Sequence, residues 1–131
     1  MIVANEDLSQ LADVLVAPYN NGGELVVTRP AANNDPAVYL LIYGAVPGLP
    51  ATVRPMSPNR SVRIVAKGTG NAGDLLVLAD GVSVAADKGK VRSKASLTAG
   101  SGTYRLVAIA EEAFVDGQLV KSRPTFGTVA V

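Results

Sequence analysis

The chain has 131 residues, 48% of them hydrophobic and 18% charged, with a formal net charge of +1. This length and composition indicate one folded domain and exclude an intrinsically disordered protein. The chain contains no Cys and no His, which excludes disulfides, the usual zinc sites and His-based catalysis. We therefore expect no enzyme, no cofactor and no metal site.

The first predicted element is one short helix over residues 8–16. Asp7 and Gln10 have the spacing of a capping box, and apolar residues follow at helical intervals until Pro18. So short a helix is marginal alone. We expect its apolar stripe to pack on its own domain or on a neighbouring molecule, with three leucines as candidate partner-binding residues: Leu8, Leu11 and Leu15.

The rest of the N-terminal segment, up to residue 58, contains few strand signals. Residues 24–29 predict a short strand, and the nearly continuous apolar residues 37–46 predict a strand covered on both faces. This run is too short to be a membrane helix, so we expect no membrane association. The proline residues between 47 and 58 predict an extended segment, either an arm or part of the main domain.

Residues 59–131 predict a β-barrel-like domain. Short strands are predicted at residues 61–67, 88–97, 104–110, 118–122 and 125–131, and a hairpin at 74–86. Asp80-Gly81 favours a type I′ turn in that hairpin, and Asp116-Gly117 is a second tight-turn signal. The fold class is therefore mainly β, a small β-barrel or sandwich of short strands, and the two segments are expected to form one compact unit.

A glycine-rich stretch at residues 68–73 matches the pattern G-x-G-x-x-G. A dinucleotide site of this type needs a helix directly after the glycines, to receive the pyrophosphate at its N-terminus. Here a hairpin is predicted instead. We interpret the stretch as a turn without a bound nucleotide.

The most distinctive charge pattern consists of four cations at a period of two: Lys88, Lys90, Arg92 and Lys94. On a strand these side chains leave the same face. They could protect an edge strand from unwanted pairing, or bind an acidic partner, such as the N-terminal segment of another copy. Residues 1–53 carry one basic and five acidic residues, whereas the remainder carries eleven basic and six acidic residues. Scarce aromatic residues and a near-neutral net charge argue against nucleic acid as the partner.

Three segments of the C-terminal half resemble small capsid decoration, or cement, proteins of tailed bacteriophages. These segments are AGDLLVLADG at residues 72–81, RLVAIAEEA at 105–113 and DGQLVK at 116–121. In such proteins, a hairpin that resembles the first segment is followed by a hairpin that resembles the second and third segments. The resemblance covers about residues 60–131.

The resemblance implies a β-barrel-like domain, commonly a homotrimer, that binds the major capsid protein on the capsid exterior and stabilises the shell. Such a protein is made in the host cytoplasm, and its N-terminal segment often reaches across neighbouring subunits. The alternatives are another virion component, such as a tail-tube or adaptor protein, and a β-module that binds a host surface or carbohydrate. Few aromatic side chains are available for binding sugars.

Overall fold

The computed structural model describes residues 2–131 and contains two curled five-stranded sheets. The first has the order β1-β3-β2-β4-β5 and the second β6-β10-β9-β7-β8. The strands are β1 (Val3–Ala4), β2 (Leu15–Asn21), β3 (Glu24–Thr28), β4 (Tyr39–Tyr43), β5 (Thr52–Pro55), β6 (Val62–Val65), β7 (Leu75–Leu78), β8 (Val91–Ser93), β9 (Thr103–Ala110) and β10 (Leu119–Ala130). The predicted mainly β class is confirmed. No helix among residues 2–131 has the length and apolar character needed to cross a membrane.

The predicted helix over residues 8–16 is wrong, and Asp7 stabilises a local turn instead of capping a helix. The Asp7 carboxylate accepts a hydrogen bond of 3.0 Å from the Ser9 N–H, and a single turn closes between the Leu11 N–H and the Leu8 carbonyl. Asp13 then takes a φ of 59°, in the left-handed region. A right-handed helix cannot pass through such a residue, and β2 begins directly afterwards.

The first sheet is covered on both faces, as the apolar run at residues 37–46 predicted. Leu40 and Leu41 are neighbours on β4, so their side chains leave opposite faces. Leu40 belongs to the core shared with the second sheet, whereas Leu41 packs in a separate cluster with Ala4 and Leu8. Residues 5–14, which follow β1 in the chain, therefore cover the outer face through Leu8 and Val14.

Glu6 fastens this cover to the end of β3. Its carboxylate accepts hydrogen bonds from the Thr28 hydroxyl and the Arg29 backbone N–H, and lies 2.8 Å from the Arg29 guanidinium. Partial burial opposes ionisation, but the hydrogen bonds from Arg29 and Thr28 outweigh it and lower the pKa of Glu6. The resulting stabilisation is present above the unfolded pKa of about 4.3 and is lost as the pH falls through the folded pKa.

The second sheet closes on itself through its two edges. Ala66, just after β6, pairs in parallel with Val91 of β8, and the Lys67 N–H donates to the Val91 carbonyl over 2.7 Å. The strands predicted at residues 118–122 and 125–131 are one strand, β10, with an irregularity between Pro124 and Gly127. Closure of this kind removes exposed sheet edges.

The type I′ turn predicted at Asp80-Gly81 is wrong. Strands β7 and β8 pair, but residues 79–90 join them and include a 3-10 turn at Ala85–Asp87. Asp80 stabilises this wide connection, because its carboxylate accepts hydrogen bonds from the Ser83 N–H at 3.0 Å and the Asn33 amide at 3.1 Å. Gly81 does not take the positive φ that a type I′ turn requires.

The two sheets share one hydrophobic core. It includes Leu15, Leu40 and Met56 from the N-terminal segment, packed with Leu76 and Val107 from the second sheet. The N-terminal segment was expected to be extended, with one or two strands, but it contributes five strands and part of the core. Leu15, Leu40 and Met56 leave water by packing against the second sheet, whereas Leu8 and Leu41 are buried within the N-terminal segment.

The sheets also meet through backbone hydrogen bonds, at a contact that we call the seam. The Leu15 N–H donates to the Gly89 carbonyl over 2.8 Å, and the Val65 N–H donates to the Asp13 carbonyl over 3.0 Å. Gly89 has a φ of 80°, and a Cβ there would lie 2.6 Å from the Leu15 carbonyl oxygen. Only glycine allows both this positive φ and the close approach of the Leu15 carbonyl without displacing β2.

We predict that Gly89→Ala lowers the free energy of unfolding by about 3 kcal/mol. The cost of a left-handed φ for alanine and the cost of the clash with the Leu15 backbone add to each other. Gly100→Ala is the matched control: Gly100 has a φ of 81°, but a Cβ at this position would have no atom within 4 Å. The control should lose only about 1 kcal/mol. Urea unfolding measures both values, and equal losses would contradict the close approach at the seam.

Candidate partner-binding surface

The four cations lie in residues 88–94, which we call the basic segment. Only Val91–Ser93 of this segment is a strand, so the strand predicted at residues 88–97 is much shorter. Lys88 follows the 3-10 turn Ala85–Asp87, and Lys94 begins a second 3-10 turn, Lys94–Ser96. The cations therefore do not project from one continuous strand.

Asp87 anchors the basic segment. Asp87 is 6% exposed, and its carboxylate lies 3.6 Å from the Lys90 ammonium and 3.8 Å from that of Lys67. A buried carboxylate needs such partners, because an unpaired buried charge is strongly destabilising. Lys90 thus serves the fold and is less available to a partner.

Arg92 is also engaged within the chain. Its guanidinium donates to the Ser96 hydroxyl over 2.9 Å and to the Ser96 carbonyl over 3.2 Å, which holds the second 3-10 turn against the strand. Lys88 and Lys94 differ, since among residues 2–131 neither ammonium group forms an ion pair or a hydrogen bond like those of Lys90 and Arg92. These two ammonium groups are the cations of the segment that are free to meet an acidic surface.

An apolar groove continues from the basic segment. It has a volume of about 500 Å³, and its lining residues are Leu75, Lys94, Ala95, Leu97, Ala99, Ala130 and Val131. The wall forms because the Gly100 N–H donates to the Val131 carbonyl over 2.7 Å, which brings residues 97–100 against the end of β10. No local sequence pattern indicates this long-range contact. Lys94 gives the groove one cationic end.

The three leucines of the predicted helix lie inside the molecule. Leu8 and Leu15 are 0% exposed and belong to different core clusters, and Leu11 is half-buried against the cluster that contains Leu8. They stabilise the chain's own fold. A partner could contact Leu8 or Leu15 only after the N-terminal segment had left the core.

The glycine-rich stretch at residues 68–73 is not followed by a helix, since β7 begins at Leu75. Gly70 pairs with Phe114 through two backbone hydrogen bonds of 3.1 Å, and a Cβ at Gly70 would lie 2.4 Å from the Phe114 ring. The stretch thus serves as a packed turn against an aromatic side chain. It lacks the helix N-terminus that a dinucleotide site requires.

Leu8→Ala is expected to lower the free energy of unfolding by about 2 to 5 kcal/mol, because it leaves a cavity in a buried cluster. Leu49→Ala is the matched control, since Leu49 is 54% exposed, and its effect should stay within about 0.5 kcal/mol. Chemical denaturation of both variants measures the difference. Similar small effects would show that Leu8 does not belong to the core.

The fold has a solved counterpart in the crystal structure of the head fiber gp8.5 N base of bacteriophage phi29, with a TM-score of 0.66. The aligned region covers 95% of this chain and 90% of that chain, at 17% sequence identity. No protein-family model matches the sequence, and no curated protein matches it. The chain therefore shares its fold with the N base of a phage head fiber.

Proposed function

We propose that this chain is a structural protein of a bacteriophage virion that binds the outer surface of the capsid and stabilises the shell. The observation that carries the proposal is the fold shared with a phage head fiber base over 95% of the chain. The resemblance of residues 72–81, 105–113 and 116–121 to capsid decoration proteins points independently to the same class. The partner is the major capsid protein, and the protein acts on the capsid exterior after synthesis in the host cytoplasm.

The basic segment and the apolar groove suit this role in different ways. Exposed ion pairs contribute only about 0 to 1 kcal/mol each, so Lys88 and Lys94 mainly orient and accelerate docking. The groove offers apolar area, and burial of such area supplies most of the affinity. A capsid surface with acidic side chains beside a small apolar projection fits both features.

We further propose that the protein acts as a homotrimer. Three identical surfaces that engage a capsid together convert the second and third contacts into intramolecular events. The gain in avidity can reach roughly 10² to 10⁴. Weak contacts by each copy therefore suffice for stable decoration.

The direct test mixes the purified protein with expanded, undecorated capsids of the phage that encodes it and counts the bound copies per particle. We expect saturable binding with a fixed number of copies, and capsids that resist heat better when decorated. Absence of saturable binding would contradict the proposal. Stacked rings of the protein in solution would favour a tail-tube role instead.

Lys94→Glu should slow association with these capsids about threefold or more at low salt. The effect should be smaller at high salt, because dissolved ions screen the electrostatic attraction that guides docking. Arg60→Glu is the matched control, since it makes the same charge change at an exposed site outside the basic segment and groove. Stopped-flow light scattering measures both rates. Equal slowing by the two variants would show that only net charge matters.

A further inference from the structure

A second cavity lies where the two sheets meet, and we call it the seam cavity. It has a volume of about 280 Å³, which suits one side chain or a small ion better than a large cofactor. Its apolar lining comes from Leu40 and Ile42 of the first sheet and Val62 of the second. No local sequence pattern indicates this cavity, because its walls come from strands far apart in the chain.

Three cationic side chains line the seam cavity. Arg54 comes from β5, Arg63 from β6 and Lys121 from β10. Lys121 lies directly opposite Arg63 in the register of β10 and β6. Like charges at directly opposed positions destabilise a pair of strands, so an anion held between them would relieve the repulsion.

The protein's own carboxylates neutralise these cations only in part. Glu112 lies 3.5 Å from the Arg63 guanidinium and accepts a 3.0 Å hydrogen bond from the Lys121 backbone N–H. The side chains of Arg54 and Lys121 have no acidic partner within 4.0 Å among residues 2–131. Asp13, the one acidic residue in the lining, forms no ion pair within the same limit.

Ser61, the remaining polar residue of the lining, already forms a hydrogen bond within the chain. The Ser61 hydroxyl donates a short hydrogen bond to Glu111, which also pairs with Arg123 over 3.5 Å. The hydrogen bond from Ser61 is the main cause of the lowered pKa of Glu111. The charges of Arg123 and Lys121 also lower the pKa of Glu111. Neither Arg54 nor Lys121 forms an ion pair within 4.0 Å among residues 2–131, so both can still meet a ligand.

We propose that the seam cavity binds a carboxylate on a short aliphatic stem, the side chain of a Glu or Asp residue from a partner protein. The guanidinium groups of Arg54 and Arg63 can donate paired hydrogen bonds to a carboxylate, and Lys121 adds a third positive charge. The apolar lining accepts the methylene groups of the stem. This inference does not depend on the capsid proposal, because the groups involved lie outside the basic segment and the apolar groove.

The probe is N-acetyl-glutamate N-methylamide, titrated into the isotope-labelled protein while the arginine Nε–Hε resonances are followed by NMR. We expect saturable shifts at Arg54 and Arg63, weakened by added salt. The corresponding glutamine compound should produce no saturable shift, because it lacks the charge. Inorganic phosphate is titrated in a separate experiment. An equal response to the glutamine compound would overturn the proposal, and so would binding of phosphate together with no response to the glutamate compound.

Variants with opposite expected effects separate this site from general surface charge. Arg54→Gln and Lys121→Gln should each weaken binding about threefold to fivefold, the range of a single exposed ion pair. Asp13→Asn should strengthen binding by a similar factor, because it removes a repelling charge and Asn tolerates the left-handed φ at this position. Lys94→Gln, in the other cavity, should leave binding unchanged.

Arg54 and Lys121 are exposed side chains, so their replacement should leave the thermal unfolding midpoint nearly unchanged. This measurement confirms that weaker binding does not reflect unfolding. Weaker binding by Asp13→Asn, or equal loss in Lys94→Gln and Lys121→Gln, would contradict a carboxylate site at the seam.

Discussion

At the seam, the backbone of Gly89 approaches Leu15 so closely that a side chain on Gly89 would meet the Leu15 carbonyl oxygen at 2.6 Å. The Leu15 N–H completes the contact by donating to the Gly89 carbonyl. This contact fixes the start of β2 against the connection between β7 and β8. Because Asp87 and Lys90 flank Gly89 closely in the chain, their ion pair is positioned by the same contact.

The internal use of charge determines which groups remain for a partner. Glu6 is bound by Arg29, and Asp35 accepts hydrogen bonds from two backbone N–H groups. The acidic N-terminal half therefore offers less free negative charge than its composition suggests. Among the cations of the basic segment and the seam cavity, five lack an acidic partner within 4.0 Å among residues 2–131: Arg54, Lys88, Arg92, Lys94 and Lys121. Arg92 is engaged by Ser96, so the other four remain for a partner.

Apolar patterns predicted the strands well where burial alone decides the local structure. The apolar run at residues 37–46 contains β4, and the alternation at 104–110 predicted most of β9. The predicted helix failed because Asp13 takes a left-handed φ and β2 pairs with distant strands, which outweighs a weak local preference. The Asp80-Gly81 turn failed because the Asp80 carboxylate binds Asn33, a residue far away in the sequence.

The candidate surfaces were predictable only in part. The period-two pattern identified the cations of the basic segment, but the engagement of Lys90 by Asp87 and of Arg92 by Ser96 depends on two 3-10 turns. The apolar groove and the seam cavity both join residues that are distant in sequence. Such sites arise from tertiary packing, and periodicity along the chain does not report them.

We propose that residues 2–58 and 59–131 form one cooperative unit, joined by the shared core and the seam, and native-state hydrogen exchange tests this claim most directly. The informative probes are the Leu15 and Val65 amides, whose hydrogen bonds cross the seam. We predict that they exchange only through global unfolding, with the same free energy as the most protected amides of β9 and β10. Exchange of both amides through local opening, at a lower free energy than the amides of β9 and β10, would contradict the claim of one cooperative unit.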